Sequence, residues 1–416
     1  MITHAKVVVR SKRRRMVGGV ALGTATVVLV AACSSGSKSS SSSSAATAST
    51  TPPATKTLLI GESAIKTGPA AVSYVITQGF ESYLNYINNS GGVNGYKFKW
   101  IEADNAYDPT QSATADNTLM GDNPFAISVV GTVPVSATAQ VATSAGSKIP
   151  LLVTADGHLV DKLAATPGAP PIYGIVPDYT LEGQFDADFV LKTLNDSAPA
   201  IAYENDSLAQ GADQSMTSYI PGHGGKVAAN VALTTTTTNM VPIATQLQAS
   251  GAKTVIAWMS SNLMATLQKA AAQIGYAPKW VSPFFALNSG YLKLAGSNAE
   301  GTYIDGIFPP TTSTDPAVQT FMTQVQSFAP TAATGSGQQG WEMASVLVEA
   351  IKKATASGAA LTQANFVQAL TQLNATIGLT NINFTSGHHW GIDQVGWYQV
   401  KGGQFVQTQP PSPLPS

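Results

Sequence analysis

Few side chains in this sequence have the types and spacing that catalysis requires. The single cysteine is Cys33, and the histidines beyond the N-terminal 32 residues are His158, His223, His388 and His389. None of them forms a metal-ligand spacing such as HExxH, and the adjacent His388 and His389 would point to opposite faces of an extended segment. The sequence contains no GxSxG elbow and no phosphate-binding loop. It therefore predicts no catalytic residues, no metal site and no cofactor.

Two neighbouring carboxylates are the remaining candidates for acid–base chemistry. Asp186 and Asp188 fall in a predicted helix, and we interpret them as part of its solvated face. With no nucleophile and no paired acid in a loop, the chain is predicted not to be an enzyme.

Cys33 stands between an apolar stretch and a run of serines, in TVVLVAACSSGSKSSSSSS. Residues 1–15 are basic without an acid, and residues 16–32 are apolar or small, which is the pattern of a secretory signal peptide. The segment Val30-Ala31-Ala32-Cys33 resembles the bacterial lipobox, whose cysteine thiol receives a diacylglyceryl group. A buried or free cysteine is the alternative, and the neighbouring arginines give a weaker hint of a twin-arginine signal.

The residues after Cys33 predict a tether. They are rich in Ser, Thr and Ala, include Pro52-Pro53, and carry too few apolar side chains to build a core. We predict a signal peptide at 1–32 and a lipidated cysteine with its tether at 33–56. Such an anchor would hold the folded part at the outer face of a bacterial cytoplasmic membrane.

The charge balance of the remaining chain excludes one class of partner. Six of the 22 basic residues lie in the signal, which leaves 16 against 23 acidic residues, a net charge of −7. All of the arginines lie in the signal as well. The mature chain is therefore not expected to bind nucleic acid, and it cannot hold an anionic ligand with a bidentate guanidinium.

From Thr57 onward, short apolar strands alternate with amphipathic helices. The predicted strands of the first series are TLLIG, YKFKWIEAD, FAISVVG and IPLLVTA, and those of the second are PAIAYEN, KVAANVAL, KTVIAWM and KWVSPF. After GTYIDGIFPP the chain is mostly helical, and it ends in the β-like segment VGWYQVKGGQFVQ. This alternation predicts an α/β fold, with parallel sheets covered by helices on both faces.

One long segment resembles a known family. TGPAAVSYVITQGFESYLNYINNSGGVNGYKFKWIEADNAYDP is similar to type I periplasmic binding proteins of the leucine/isoleucine/valine-binding-protein family. GWEMASVLVEAIKKA and the ending INFTSGHHWGIDQVGWYQV with GGQFV resemble later segments of the same family. Together these segments cover most of residues 57–407.

The resemblance implies two doubly wound parallel-sheet lobes joined by a three-strand hinge. The crossings are expected near Tyr173–Asp178, Asp305–Pro310 and Asn381–Phe384. Lobe one would comprise residues 57–176 plus 307–381, and lobe two residues 177–306 plus 382–410, with a C-terminal tail at 411–416. Lobes of this kind close on a ligand by hinge bending.

Ligands of open α/β sheets bind beyond the carboxyl ends of the strands, where helix N-termini offer free N–H groups. In the first lobe these ends are followed by GESAIKTG, GTVPVSAT and TADGH. The candidate ligand-binding residues there are Ser63, Lys66, Thr67, Ser136, Thr154, Ala155, Asp156 and Gly157, and Thr132 and Thr138 are further polar neighbours. In the family that this chain resembles, two loops hold the ligand's carboxylate and ammonium. The resemblance implies that Ser136 and residues 154–157 occupy those positions, to within a residue or two. Ordinary loop and helix-cap chemistry is the alternative for each.

The second lobe departs from the pattern of amino-acid binders. Where those proteins carry a tyrosine in the first loop, this chain has Leu208 and Ala209, and it offers no obvious acid for an α-amino group. The candidates in this lobe are Ser207, Trp258 and Phe284. Aromatic walls would suit an apolar or aromatic carboxylate or amide, whereas burial in the core is the alternative for the aromatic pair.

These observations predict an extracytoplasmic solute-binding lipoprotein of an ABC importer. Its ligand would be amino-acid-like, an amide, or an apolar or aromatic carboxylate, and its partners would be permease subunits, with the chain itself a monomer. A ligand-sensing receptor subunit for a signalling partner is the alternative. A secreted cell-wall hydrolase is a third class, for which the sequence offers no catalytic residues.

Overall fold

The computed structural model describes residues 56–415 except for positions 69, 208 and 235. The predicted signal peptide, Cys33 and nearly all of the tether lie outside these residues, and so does Leu208. Among the described residues, no helix combines the length and apolarity that crossing a membrane requires.

The described chain forms strands and helices that alternate as the sequence predicts. The strands are β1 (Lys56–Ala64), β2 (Tyr96–Asp104), β3 (Ala126–Val130), β4 (Leu151–Thr154), β5 (Ile172–Gly174), β6 (Ala200–Glu204), β7 (Ala229–Leu233), β8 (Thr254–Trp258), β9 (Lys279–Ser282), β10 (Tyr303–Gly306), β11 (Asn374–Ile377), β12 (Thr380–Asn383), β13 (Gln394–Lys401) and β14 (Gln404–Pro413). The helices are α1 (Tyr74–Asn89), α2 (Pro109–Gly121), α3 (Thr132–Ser144), α4 (Gly157–Ala164), α5 (Tyr179–Asp188), α6 (Gln210–Gly222), α7 (Val241–Ala249), α8 (Ser261–Gln273), α9 (Ser289–Ala295), α10 (Pro316–Phe328), α11 (Gly335–Thr355) and α12 (Gln363–Leu370).

The first lobe is built on a parallel sheet in the order β2-β1-β3-β4-β5. Successive residues of a strand point to opposite faces, so Ala126 and Ile127 of β3 enter separate clusters of apolar side chains. One cluster packs under α1 and α11, and the other packs under α2 and α3. Both faces of the sheet are therefore covered, which is why its central strands are almost wholly apolar.

The second lobe is built on a sheet in the order β14-β13-β10-β9-β8-β6-β7. Strands β6 to β10 are parallel, whereas β13 runs antiparallel to β10 and β14 antiparallel to β13. The predicted two-lobed α/β fold is confirmed, with this antiparallel hairpin as one edge of an otherwise parallel sheet. A small pair, β11 and β12, precedes the hairpin.

The chain passes between the two large sheets after β5, after β10 and after β12. Two of these passages lie side by side, because Gly391 N–H donates to Gly174 O at 3.0 Å and Ile392 N–H donates to Ile175 O at 3.2 Å. The segment from 384 to 393 therefore runs along the first passage before β13 begins. Backbone hydrogen bonds between connecting segments give a bending region a defined geometry.

Candidate functional site

The carboxyl ends of β3 and β4 open onto a cavity of ≈ 460 Å³. Parallel strands end at the same edge of a sheet, so the residues that follow them are brought together there. The cavity is lined by α2, α3 and α4 of the first lobe and by one residue of the second, through Pro109, Ala113, Thr132, Val133, Ser136, Ala137, Gln140, Val141, Asp156, His158, Leu159, Lys162 and Ser207.

Helix α3 contributes a face of this cavity because its lining residues recur at helical spacing. Val133, Ala137 and Val141 are four residues apart and form an apolar stripe, and Thr132, Ser136 and Gln140 form a polar stripe beside it. The Ser136 hydroxyl donates to Thr132 O at 3.2 Å, which leaves its lone pairs to accept a further bond. The face therefore offers both apolar contact and hydroxyl groups to a small molecule.

Gly131 allows α3 to begin this close to the neighbouring loop. Its φ is 93°, and a Cβ added there would lie 2.7 Å from Cε2 of Tyr107. Burial, with the charges of Asp206 and Glu204 as smaller causes, raises the pKa of the Tyr107 hydroxyl to about 12. The first turn of α3 is thereby packed against a neutral tyrosine that faces acidic residues of the second lobe.

Asp156 links the cavity to the passage between the lobes. Its Oδ1 accepts from His158 N–H at 3.1 Å, which caps α4, and from Tyr179 N–H at 2.9 Å, at the start of α5. Burial raises the pKa of this carboxyl to about 6, and the two backbone donors act in the opposite direction. Asp156 therefore changes charge close to neutral pH while it joins β4 to the second lobe.

The turn from β4 into α4 is packed too tightly for any residue but glycine. A Cβ on Gly157 would lie 2.6 Å from Cγ of Trp390 and 2.7 Å from Asp178 N. The Gly157 N–H donates to Pro177 O at 2.8 Å, so backbone meets backbone here. The cavity wall and the inter-lobe passage are in direct contact at this point.

Lys162 brings a positive charge to the cavity, with His158 beside it on the same helix. They lie four residues apart on α4 and both line the cavity. The His158 Nδ1 lies 3.4 Å from Asp178 Oδ2, and its side chain is 61% exposed. An anionic group bound here would be attracted by the Lys162 ammonium, which lies in the last turn of α4, where the helix dipole itself is negative.

The structure brings some of the predicted residues to the cavity. Ser136, Asp156 and Ser207 line it, and Thr154, Ala155 and Gly157 flank Asp156. Thr154 is buried, and its Oγ1 has no hydrogen-bond partner among the described residues.

Other predicted residues of the first lobe have partners away from the cavity. The Lys66 ammonium lies 2.6 Å from Glu102 Oε2, and the Thr67 hydroxyl donates to Asp104 Oδ2 at 2.6 Å. Ser63 is buried and accepts from Asn105 Nδ2 at 3.2 Å. These contacts fix the loop after β1 to the end of β2, because both strands end at the same level.

The aromatic candidates of the second lobe lie in its core instead of lining the cavity. Trp258 is fully buried, and its Nε1–H donates to Asp186 Oδ2 at 2.7 Å. Phe284 is buried against Tyr179 and Phe285. Both are held there because the end of β8 and the turn after β9 pack against α5.

The interpretation of Asp186 as part of a solvated face is wrong. Its carboxyl is fully buried and lies with those of Glu182 and Asp305 beside the inter-lobe passage. Burial raises the pKa of all three carboxyls well above the ordinary range, and their mutual proximity raises those pKa values further. Asp188 lies on the other side of α5 and pairs with Lys192.

Sequence reasoning missed several residues of α3 and α4. Gln140, Val141, Leu159 and Lys162 line the cavity although they lie away from the strand ends. Spacing of four residues from Ser136 and His158 would have identified Gln140 and Lys162, because such residues share a helix face. The remaining lining residues give no signal that distinguishes them from ordinary surface positions.

The chain is similar to a known protein family and to several named relatives. The family model described as "Periplasmic binding protein" matches residues 58–404. The Leu/Ile/Val-binding protein homolog 3 of Brucella melitensis is 26% identical over 250 residues, which are 59% of this chain and 66% of the relative. The match therefore spans slightly less than two thirds of that relative.

Two solved structures share the fold at low sequence identity. A branched-chain amino acid ABC transporter protein from Thermus thermophilus with bound valine has a TM-score of 0.76 and 15% identity, over 87% of this chain and 97% of the other. A fatty acid ABC transporter substrate-binding protein from Thermomonospora curvata has a TM-score of 0.72 and 20% identity, over 87% and 94%. At these identities the likeness establishes the fold, and the two ligands differ in chemistry.

Proposed function

This chain belongs to the periplasmic binding protein family, and from that premise we propose that it captures a small organic solute between its lobes for an ABC importer. The family resemblance carried by the sequence is confirmed by a match over residues 58–404. The observation that supports capture is the cavity at the strand ends, where residues of the first lobe meet Ser207 of the second. Its volume falls within the range of small-molecule sites.

The cavity walls indicate a ligand with an apolar body and one polar head. Val133, Ala137 and Leu159 provide apolar contact, and Lys162 and the hydroxyl of Thr132 provide attraction for a carboxylate or amide. The similar Thermus thermophilus structure contains bound valine, and the similar Thermomonospora curvata protein is named for fatty acid transport. Valine and a fatty acid both pair an apolar chain with a carboxylate. We propose a ligand of this general class.

An α-amino acid would need a partner for its ammonium group. Asp156 is the one acid among the described residues that line the cavity, and one of its oxygens already accepts two backbone N–H groups. With its pKa raised to about 6 by burial, Asp156 carries its charge near neutral pH at the cost of desolvation. Because one oxygen of Asp156 is already occupied by two backbone donors, we propose a head group without an ammonium, which Lys162 and the Thr132 hydroxyl would hold away from this carboxylate.

Binding would act by favouring the closed arrangement of the lobes. A ligand shifts an equilibrium by its differential affinity for two states, so contacts to both lobes are required. Ser207 from the second lobe supplies such a contact opposite α3 and α4. No chemical step is needed for this function, and we propose that the chain is not an enzyme.

The remaining parts of the proposal concern location and assembly. We propose that residues 1–32 direct export, that Cys33 carries the lipid anchor, and that the folded part acts as a monomer at the outer face of the cytoplasmic membrane. The proposed lobe boundaries are 57–176 plus 307–381 and 177–306 plus 382–410. Partners would be the permease subunits, which would recognise the closed form.

The experiment is a thermal-shift screen of the purified protein, followed by calorimetry on each hit. The panel holds branched-chain and aromatic amino acids, their amides, fatty acids and aromatic carboxylates. A native-state ligand raises the unfolding midpoint with concentration. Hits confined to carboxylates or amides support the proposed head group, hits confined to amino acids contradict it, and turnover of a hit contradicts the non-enzymatic function.

Crosslinking to permease subunits in cells tests whether the protein delivers its ligand to an importer. Crosslinking to a signalling receptor instead would contradict that role.

A further inference from the structure

Three glutamates meet between the edge of the first-lobe sheet and α1, away from the residues that line the cavity. Glu62 and Glu102 are register partners on the neighbouring parallel strands β1 and β2, so their side chains share a face. Glu81 reaches them from α1, and one carboxylate oxygen of each lies within 4.8 Å of the others. We call these three residues the glutamate cluster.

The members of the glutamate cluster differ in the partners that the described residues offer them. Glu102 Oε2 lies 2.6 Å from the Lys66 ammonium, and Glu102 Oε1 accepts from the Tyr74 hydroxyl at 2.7 Å. Glu62 is fully buried, and neither of its carboxylate oxygens has a hydrogen-bond partner among the described residues. A buried carboxyl without partners is costly, so the position of Glu62 requires a compensating group.

Lys66 does not supply enough compensation for three carboxyls. Burial raises the pKa of Glu62 well above its ordinary range, and the charges of Glu81 and Glu102 raise it further. Burial and the Glu102 charge raise the pKa of Glu81 to about 7, although the Trp100 side chain and Lys66 act in the opposite direction. In the described part of the chain, the Lys66 ammonium pairs with Glu102, which leaves both oxygens of Glu62 without a partner.

We propose that the glutamate cluster binds a divalent cation, Ca²⁺, through one oxygen of each of Glu62, Glu81 and Glu102, with water completing the coordination. Hard divalent cations prefer oxygen ligands, and a Ca–O distance of about 2.4 Å allows two ligands of one ion to lie up to about 4.8 Å apart. Ligands from two strands and one helix form an irregular set, which suits the flexible coordination of Ca²⁺ better than the strict octahedron of Mg²⁺.

The cluster is open to solvent on the side of Lys66. The Lys66 side chain is 40% exposed and that of Glu102 is 17% exposed, so an ion can enter where the ammonium now pairs with the carboxylate. Lys66 and the ion would compete for Glu102, because both are cations at one oxygen. Removal of the lysine charge should therefore strengthen ion binding, whereas removal of the Glu62 charge should abolish it.

The first test measures thermal unfolding of the chelator-treated protein at about pH 7.5 with about 1 mM CaCl₂ or MgCl₂. Ca²⁺ should raise the midpoint by about 2–4 °C and Mg²⁺ by less. Glu62→Gln should lose the Ca²⁺ response and still fold, because the replaced carboxyl makes no hydrogen bond within the described residues. Lys66→Met should reach the same response at a lower Ca²⁺ concentration. Glu349→Gln, which alters an exposed carboxyl paired with Lys352, is the control and should respond like the native protein.

The second test locates the ion spectroscopically. Tb³⁺ replaces Ca²⁺ at oxygen sites, and its luminescence is sensitised by a nearby indole such as Trp100, whose side chain contacts Glu81. The signal should be displaced by Ca²⁺ and absent from Glu62→Gln. An unchanged midpoint with Ca²⁺, or a response and a signal that persist in Glu62→Gln, would overturn the proposal.

Discussion

Thr132 starts α3 and places a hydroxyl group at the wall of the cavity. Substitution Thr132→Val keeps the branched shape of the side chain and removes only that hydroxyl. A hydrogen bond of a ligand to it is worth about 0.5–1.5 kcal/mol, so we expect a dissociation constant about 2–10-fold higher by calorimetry. Thr143→Val is the control, because its Oγ1 donates to Ala139 O within the same helix and does not line the cavity. Equal affinities for the native protein and Thr132→Val would remove Thr132 from the site.

Asp156 makes binding depend on pH in a direction that reports the ligand's head group. Burial raises its pKa to about 6, so the carboxyl loses its proton as pH rises through that value. A carboxylate ligand without an ammonium should bind more weakly above about pH 6, because a second negative charge then faces it. A ligand whose ammonium contacts Asp156 should bind more tightly above the same pH.

The measurement is the dissociation constant of a hit from about pH 5 to about pH 8. Asp156→Asn should flatten the profile while it keeps an oxygen that can accept from the His158 and Tyr179 N–H groups. A profile that is identical in the native protein and the variant would show that another group causes the pH dependence.

Residue by residue, the sequence predicts a site where the strand ends are followed by polar loops. Ser136 and Asp156 are found at the cavity for that reason. Lys66 and Trp258 follow strands in the same way, yet one pairs with Glu102 and the other donates to the buried Asp186. Those partners come from distant parts of the chain, so no local pattern could reveal them.

At the scale of elements, the contact between α1 and α11 depends on glycines that allow the helix backbones to touch. A Cβ on Gly340 would lie 1.7 Å from Ile76 O and 2.7 Å from Phe80 N, and a Cβ on Gly79 would lie 2.0 Å from Gly337 O. Since these are backbone atoms, no side-chain rotation can relieve the overlap. The two helices can therefore pack at this short separation only with glycine at these positions.

Gly340→Ala should destabilise the protein by forcing α1 away from α11. Overpacking typically costs about 1–3 kcal/mol, and we expect at least the upper part of that range in denaturant unfolding because backbone must move. Gly121→Ala is the matched control, since nothing lies within 4 Å of its added Cβ in α2. There the better helix propensity of alanine should leave stability unchanged or slightly higher. A cost for Gly340→Ala as small as for the control would show that the helices can separate freely.

The strands and helices could be predicted from the sequence, because apolar runs and helical spacing are local signals. FAISVVG contains β3, IPLLVTA contains β4, and VGWYQVKGGQFVQ forms the hairpin of β13 and β14. The antiparallel placement of that hairpin beside β10 could not be predicted from the sequence, since it depends on which strand edge is left open in the folded sheet. The glutamate cluster was hidden for the same reason, because its members come from β1, α1 and β2.

At the scale of the whole molecule, buried carboxyls dominate the expected dependence of stability on pH. Burial raises the pKa of Asp116 to about 6 and that of Glu81 to about 7, and it raises those of Glu182, Asp186 and Asp305 well above the ordinary range. Between about pH 4 and these values, the folded chain holds protons that the unfolded chain has lost. Stability contributed by these groups is therefore complete below about pH 4 and falls as pH rises.

Asp104 acts in the opposite sense, because hydrogen bonds from Thr67, Ala106 and Lys66 lower its pKa despite some burial. Its contribution is present above about pH 4 and is lost in stronger acid. The two trends together predict greatest stability at mildly acidic pH, near about pH 5, and a lower unfolding midpoint at about pH 8. A midpoint that rises steadily from pH 5 to pH 8 would contradict this expectation.

Asp305 tests the trend at the passage between the lobes, because its carboxyl lies between those of Glu182 and Asp186. Ionised carboxylates can only accept hydrogen bonds, so these three carboxyls need a shared proton between them. An asparagine amide at the central position supplies N–H donors at every pH. Asp305→Asn should therefore raise the midpoint at about pH 8, change it little at about pH 5, and reduce the slope between them. Asp122→Asn, at an exposed position after α2, should keep the native slope. If Asp305→Asn instead lowers the midpoint more at pH 8 than at pH 5, the three buried carboxyls are ionised and compensated by other groups. That result would contradict the expectation that they share protons.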